Sequence, residues 1–199
     1  PKTKGHWQVA ETPNIIDFQF EAMSRLRKQV DALGESHASL LAAARSRGDA
    51  QSRIHAAVLA MMDASSPEHF IHVLTQDWVD ILGVDAVAIA LETSPEAVRL
   101  APPGLQFIGP GQLAAWLDGG SAVSARDVEI GLPLFGPAAG LIKSQALIRL
   151  PMADRWPRGL LALGSRVPDA FETLANVELL SFLGAVSARC LGHWLSVQA

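Results

Sequence analysis

The chain has 199 residues, 49% of them apolar, with 16 basic against 20 acidic side chains and a formal net charge of −4. A chain of this size and composition can bury one full core, so we expect a single domain with an extension. The basic residues are scattered among acidic ones, which argues against the basic surface that tracks a nucleic-acid backbone.

A helical stalk is predicted over residues 18–64, after an extended arm formed by residues 1–17. Positions of the stalk at alternating spacings of three and four follow the heptad pattern of a coiled coil, and all but three of them, His37, Arg47 and Gln51, are apolar. We call the apolar residues the seam: Met23, Leu26, Val30, Leu33, Leu40, Ala44, Ile54, Val58 and Met61. Because the seam is longer than a small domain needs to cover its own sheet, we expect a parallel homodimer through it. The alternative is a helix that packs only on its own domain.

Residues 65–199 are predicted to form one compact domain. Ser65 and Ser66 before Pro67 are typical of a helix start, and this helix is expected to end at Gly83. The run 84–91 then predicts a strand with large apolar residues on one face and alanines on the other. A strand that is apolar on both faces indicates a central position in a sheet covered on both sides.

The second half of the domain alternates short strands with irregular segments. Strands are predicted at 99–101 and 105–108, a small helix at 112–117, and an irregular cover rich in Gly and Pro at 121–142. The apolar runs 146–150 and 159–163 predict two antiparallel strands, and an amphipathic closing helix follows Phe171.

The order of hairpin, Gly-Ser-Arg, Pro-x-x-Phe and helix resembles the C-terminal half of a GAF domain. Other characteristic segments are Ile16-Asp-Phe-Gln19 with Arg25-Leu-Arg27, Leu134-Phe-Gly-Pro-Ala-Ala139, Leu141-Ile-Lys-Ser-Gln-Ala-Leu147, and Gly159-Leu-Leu-Ala-Leu-Gly-Ser-Arg166 with Pro168 and Phe171. Through these segments the chain, from about residue 15, resembles the DUF484 family, bacterial proteins of unknown function with an N-terminal helix followed by a GAF-like domain. This resemblance implies an α+β fold, with a GAF-like antiparallel sheet between helices after a long coiled-coil-like helix, and a dimer. It implies no activity.

A ligand pocket is predicted between the irregular cover and the alanine face of the sheet. The apolar candidates to line it are Phe107, Leu113, Trp116, Leu117, Val128, Leu132 and Phe135. Polar contacts that orient a ligand are expected from Arg126, Lys143 and Ser144. The alternative is that the same residues fill a solid core, since close packing is the ordinary state of a protein interior.

Catalytic and metal-binding patterns are weak in this sequence. His69 and His72 lie three residues apart, but spacing marks no third metal ligand, and they are expected to be exposed or capping residues. Cys190 has only His193 as an activating neighbour, the sequence contains no Gly-x-Ser-x-Gly, and Cys190 is expected to be a core thiol. We therefore expect no enzyme, no metal and no cofactor.

Together these features favour a non-enzymatic, GAF-like sensor or dimerisation module that binds a small molecule or a protein partner on one sheet face. A single cysteine excludes an internal disulfide and suits a reducing cytoplasm, and the longest uncharged run, 130–142, is too short to cross a membrane. We expect no nucleic-acid or membrane partner. The alternative function is a ligand-free protein interaction scaffold, which a filled core and an exposed apolar patch on the stalk would favour.

Overall fold

A computed structural model describes residues 14–93, 104–117, 121–171 and 177–197. The chain divides into two compact units, Pro1–Arg45 and Ser46–Ala199. Residues 1–13 of the predicted arm and the predicted strand at 99–101 lie outside the described residues. Residues 14–17 of that arm are helical instead of extended, because the stalk helix begins at Asn14.

Helices make up most of the described chain outside the sheet. They are α1 (Asn14–Met62), α2 (Pro67–His72), α3 (Trp78–Leu82), α4 (Gln112–Trp116) and α5 (Val177–Val197). A π-helical turn, Val73–Asp77, joins α2 to α3, and a 3₁₀ segment covers Pro133–Leu141. As the sequence predicts, Ser66 caps α2 by accepting a hydrogen bond from His69 N, and Gly83 ends α3 in the left-handed conformation.

The described strands form one five-stranded sheet. They are β1 (Ala86–Glu92), β2 (Leu105–Ile108), β3 (Val123–Asp127), β4 (Ser144–Leu150) and β5 (Arg158–Ser165), in the order β2-β1-β5-β4-β3. The β4–β5 hairpin is antiparallel as predicted, with Ile148 opposite Leu161. The α+β class is confirmed, but the sheet is mixed, because β2 pairs with β1 in parallel.

Two apolar layers cover the sheet of the second unit. On one face Val87, Ile89 and Leu91 lie in a core shared with α2, α3 and α5. Trp78 is fully buried there, and its Nε1 donates a hydrogen bond to Ala57 O at 2.9 Å. On the other face the alanines of β1 meet α4 and the 3₁₀ segment. The inequality of the two faces that the sequence predicts is therefore confirmed.

The predicted dimer interface is wrong for the last three seam residues, Ile54, Val58 and Met61. Each is buried in the first core cluster of its own unit, with exposed fractions of 1%, 9% and 1%. The domain that follows them covers their apolar side chains, so these side chains are not available to a second chain. The alternative given above for the stalk holds for this end of the seam.

The irregular cover contains two elements that the sequence does not predict, and the 3₁₀ segment Pro133–Leu141 is one of them. Val123–Asp127 forms β3, an edge strand that pairs with β4 in antiparallel register. No helix within the described ranges combines the length and the apolar composition needed to span a bilayer.

Candidate functional site

The predicted pocket coincides with the second apolar cluster of the sheet. Leu113 and Leu117 are fully buried, and Leu132 and Phe135 are buried beside them. All four belong to one cluster with Ala88, Ala90 and Ala162 of the sheet. Small alanine side chains on the sheet thus receive the large side chains of the cover, which is the packing of a core.

Three other predicted lining residues lie at the margin of this cluster or away from it. Trp116 and Val128 are partly buried and pack against its edge. Phe107 lies on the opposite face of the sheet, where it packs against the first core. The prediction for Phe107 is wrong because β2 pairs in parallel with β1 and places Phe107 beside Leu91, on the helical side.

At Gly164 of β5, side chains of the second apolar cluster pack directly against the strand backbone. A Cβ on Gly164 would lie 2.9 Å from Cδ1 of Ile142 and 3.1 Å from Cζ of Phe135. These distances are shorter than ordinary carbon contacts, so Phe135 and Ile142 rest directly on the strand backbone. The glycine of the Gly-Ser-Arg signature has a packing role.

The three polar side chains predicted to contact a ligand donate hydrogen bonds to backbone carbonyl groups. Arg126 Nη2 donates to Trp116 O at 3.3 Å, and Lys143 Nζ donates to Glu129 O at 3.4 Å. Ser144, which is 1% exposed, donates through Oγ to Val167 O at 2.7 Å. These bonds hold the cover and the segment after β5 against the sheet.

A polar network at the end of β5 involves Ser165 and Arg166. Asp85 Oδ2 accepts a hydrogen bond from Arg166 N at 2.8 Å and from Ser165 Oγ at 3.3 Å. The Arg166 side chain completes the contact, with Nε 3.5 Å from Asp85 Oδ1. The sequence places these residues where the strand leaves the sheet, and their hydrogen bonds join that end of β5 to the start of β1.

Glu92 is a positioning residue that the sequence analysis does not predict. Its Oε1 accepts hydrogen bonds from Gly111 N at 2.7 Å and from Leu113 N at 3.2 Å, which holds the start of α4 against β1. Its side chain is only 9% exposed, and Arg158 Nη1 lies 4.0 Å from Oε2. A single acidic residue that ends an otherwise apolar strand was the available signal.

Two open grooves lie on the surface of the second unit. The first, which we call the π-turn groove, has a volume of about 440 Å³ and is lined by Thr75, Gln76, Asp80, Val87 and Phe135, among others. The second, the α5 groove, has a volume of about 510 Å³ and lies between the β4–β5 connection and α5. Both volumes fall in the range of roughly 300–1,000 Å³ that is usual for small-molecule sites.

The surroundings of His69, His72 and Cys190 do not favour catalysis or metal binding. His69 Nδ1 lies 3.3 Å from Ser65 Oγ, and His72 Nε2 lies 3.7 Å from Asp77 Oδ1. Burial raises the pKa of the Cys190 thiol above its ordinary 9.0, which disfavours the reactive thiolate. Within the described residues, no group of three or more His, Cys, Asp or Glu side chains could hold a metal ion.

In the first unit, five seam residues of α1 are exposed. Met23, Val30, Leu33 and Leu40 expose 56%, 67%, 71% and 66% of their surface in a single chain, and Ala44 is exposed as well. Large apolar side chains repeated on one helix face are the pattern of an interaction surface.

Comparison with solved structures finds a GAF domain among the similar chains. The GAF domain of an Acinetobacter phosphoenolpyruvate-protein phosphotransferase is 16% identical, with 73% of this chain and 94% of that chain covered and a TM-score of 0.48. A free methionine-R-sulfoxide reductase from Neisseria meningitidis is 19% identical, with coverages of 72% and 89% and a TM-score of 0.48. The chromophore-binding domain of a bacteriophytochrome from R. palustris is 12% identical, with coverages of 73% and 62% and a TM-score of 0.46. Sequence identities and TM-scores this low indicate no activity for this chain.

A comparison with curated proteins finds no match. The family model described as "Protein of unknown function, DUF484" matches residues 7–196, which is nearly the whole chain. That span includes the stalk helix, the sheet and α5. The chain therefore belongs to the DUF484 family.

Proposed function

We propose that the chain is a non-enzymatic interaction module that forms a parallel homodimer through the seam from Met23 to Ala44. The observation that carries this proposal is the exposure of about two thirds of the surface of Val30, Leu33 and Leu40 at heptad spacing. Such spacing places all three side chains along one helix face, where a second copy can cover them.

The energetic argument is the cost of leaving this face in water. Burying a Val, Leu or Met side chain contributes about 1.5–3 kcal/mol, and in a symmetric dimer each residue contributes twice. Four large seam residues have at least half of their surface exposed. Association itself costs about 4–15 kcal/mol, and burial of all four residues in both chains is large enough to offset this cost and to favour self-association.

The polar groups of the second unit support a non-enzymatic role. The hydroxyl groups of Ser144 and Ser165 donate hydrogen bonds that fix the end of β5. The raised pKa of Cys190 keeps its thiol protonated and poorly nucleophilic. These three potential nucleophiles are thus occupied in structural contacts or held in an inactive form.

Sedimentation equilibrium on charged variants of the seam tests the proposal. The double variant Leu33→Glu/Leu40→Glu places carboxylates where apolar contact is expected. Each chain then loses the burial of two leucine side chains, which should raise the dissociation constant of the dimer at least about a thousandfold. Ala42→Glu is the matched control, because residue 42 is exposed and lies off the seam in the heptad register.

The proposal predicts a dimer for the unaltered chain and for Ala42→Glu, and a monomer for the double variant. A monomer for the unaltered chain at micromolar concentration contradicts it. So does a dimer that the double variant leaves intact, because its interface would then lie elsewhere.

Small-molecule recognition is the second candidate function. It is favoured by Phe135, which belongs to the second core cluster and also lines the π-turn groove. π-Helical turns are frequent at functional sites, and Thr75 and Gln76 of this turn line the same groove. Native mass spectrometry of protein purified from its source distinguishes the candidates. A retained compound favours recognition of a ligand, and the bare mass of two chains favours the interaction module alone.

A further inference from the structure

The α5 groove concentrates positive charge beside an aromatic ring. It lies between residues 151–156, in the connection from β4 to β5, and the C-terminal half of α5. Its lining includes Arg155, Arg189 and His193, and no acidic side chain. Pro151, Met152 and Trp156 supply apolar surface in the same groove. An anion with an apolar body is the chemistry that such a lining complements.

Arg155 is already held in position across the groove. Its guanidinium lies over the Trp156 ring, 5.2 Å from the ring centroid, and its Nη2 donates to Ser196 Oγ at 3.3 Å. Ser196 is held in turn, because its Oγ donates to Gly192 O at 2.7 Å. An arginine fixed in this way loses less conformational entropy on binding a ligand.

The second cation lies on the facing helix. Arg189 and His193 are four residues apart on α5 and therefore share a helix face. Arg189 is exposed, and neither it nor Arg155 makes an ion pair within the part of the chain that the structure describes. Guanidinium groups present several N–H donors in a planar fork that matches carboxylate and phosphate oxygens.

We propose that the α5 groove binds a small organic anion, a carboxylate or phosphate ester with a flat apolar body. Arg155 and Arg189 bind the anionic group, and Trp156 and Met152 contact the apolar part. This site is distinct from the predicted pocket under the cover and from the seam. It does not depend on the dimer proposed above.

NMR titration of the full chain with phenyl phosphate tests this inference, with the indole N–H signal of Trp156 as the reporter. That signal is assigned by its loss in Trp156→Phe. The charge variants are Arg155→Gln and Arg189→Gln. The control is Arg47→Gln, which removes one positive charge from an exposed position on α1 outside the groove. Benzyl alcohol, which has the ring without the charge, is titrated in parallel.

Phenyl phosphate is expected to shift the Trp156 indole signal with saturation, and benzyl alcohol is expected to bind at least about tenfold more weakly. Each groove variant should weaken binding about tenfold, equivalent to about 1.4 kcal/mol, while Arg47→Gln leaves it unchanged. Equal weakening by all three variants would indicate only a general charge effect and overturn the proposal. A Trp156 signal that does not respond up to millimolar phenyl phosphate also overturns it. Amide spectra of each variant establish that the fold is retained.

Discussion

Replacing Gly184 by alanine tests how closely α5 packs on the sheet. A Cβ at Gly184 would lie 2.6 Å from Cγ2 of Ile148 and 3.3 Å from the carbonyl oxygen of Arg149. Ile148 is fully buried and β-branched, so its side chain has little freedom to move away. Either the helix or the strand must shift.

The size of the effect follows from a matched substitution in the same helix. At Gly192 an added Cβ would lie 3.8 Å from Trp156 Nε1, which is ordinary van der Waals contact. Both substitutions gain the same helix propensity, about 0.8–1 kcal/mol, so this gain cancels in their difference. What remains is the overpacking cost at Gly184, about 1–3 kcal/mol. Gly192→Ala should be more stable than the unaltered chain, and Gly184→Ala less stable than Gly192→Ala by that amount.

Urea unfolding of the three proteins at one concentration measures this difference. Equal slopes would show that the midpoints can be compared as free energies of unfolding. A Gly184→Ala variant as stable as Gly192→Ala would refute the close contact between α5 and β4, and with it the packing of the first core described above.

Three further predictions concern single side chains. Repulsion from Asp127 raises the pKa of the Asp169 carboxyl above 3.8. The folded chain therefore loses stability as pH rises through this raised pKa. Asp169→Asn, which tolerates the φ of 56° at this position, should therefore raise the melting temperature at pH 7. This gain should shrink as pH falls through the raised pKa of Asp169 and should be lost below pH 3.8; a gain that is independent of pH contradicts the cause. Cys190 should react with Ellman's reagent several-fold more slowly in the folded chain than in urea, and equal rates would contradict the shielding of its thiol by the fold. Asp85→Ala should cost about 1–2 kcal/mol in urea unfolding through loss of the bonds to Ser165 and Arg166, whereas an unchanged midpoint would show that this network contributes nothing.

The sequence was most informative where apolar runs were continuous. β1, β4 and β5 were predicted because buried strands leave an unbroken apolar pattern. β3 was missed because an edge strand with exposed residues owes its conformation to backbone pairing with β4, which leaves no such pattern. The parallel pairing of β2 was missed because pairing direction is a property of the whole sheet.

The division of the seam shows a different limit of sequence reasoning. The heptad register extends from Met23 to Met61, with polar residues at three of its positions, yet Ile54, Val58 and Met61 are buried by their own domain. Spacing identifies an apolar helix face but does not say which surface covers it. The α5 groove was equally hidden, because Arg155 and Ser196 are 41 residues apart and meet only in the folded chain.

Site-specific cross-linking tests most directly whether the seam joins two chains in parallel. In a Cys190→Ser background, Met23→Cys places one thiol at an exposed seam position, and Ala42→Cys places it off the seam as a control. A parallel dimer brings residue 23 of each chain within the Cα separation of about 4.4–6.8 Å that a disulfide requires. Mild oxidation should therefore produce a covalent dimer from Met23→Cys and little from Ala42→Cys. No covalent dimer from Met23→Cys, or equal yields from the two variants, would contradict the parallel seam.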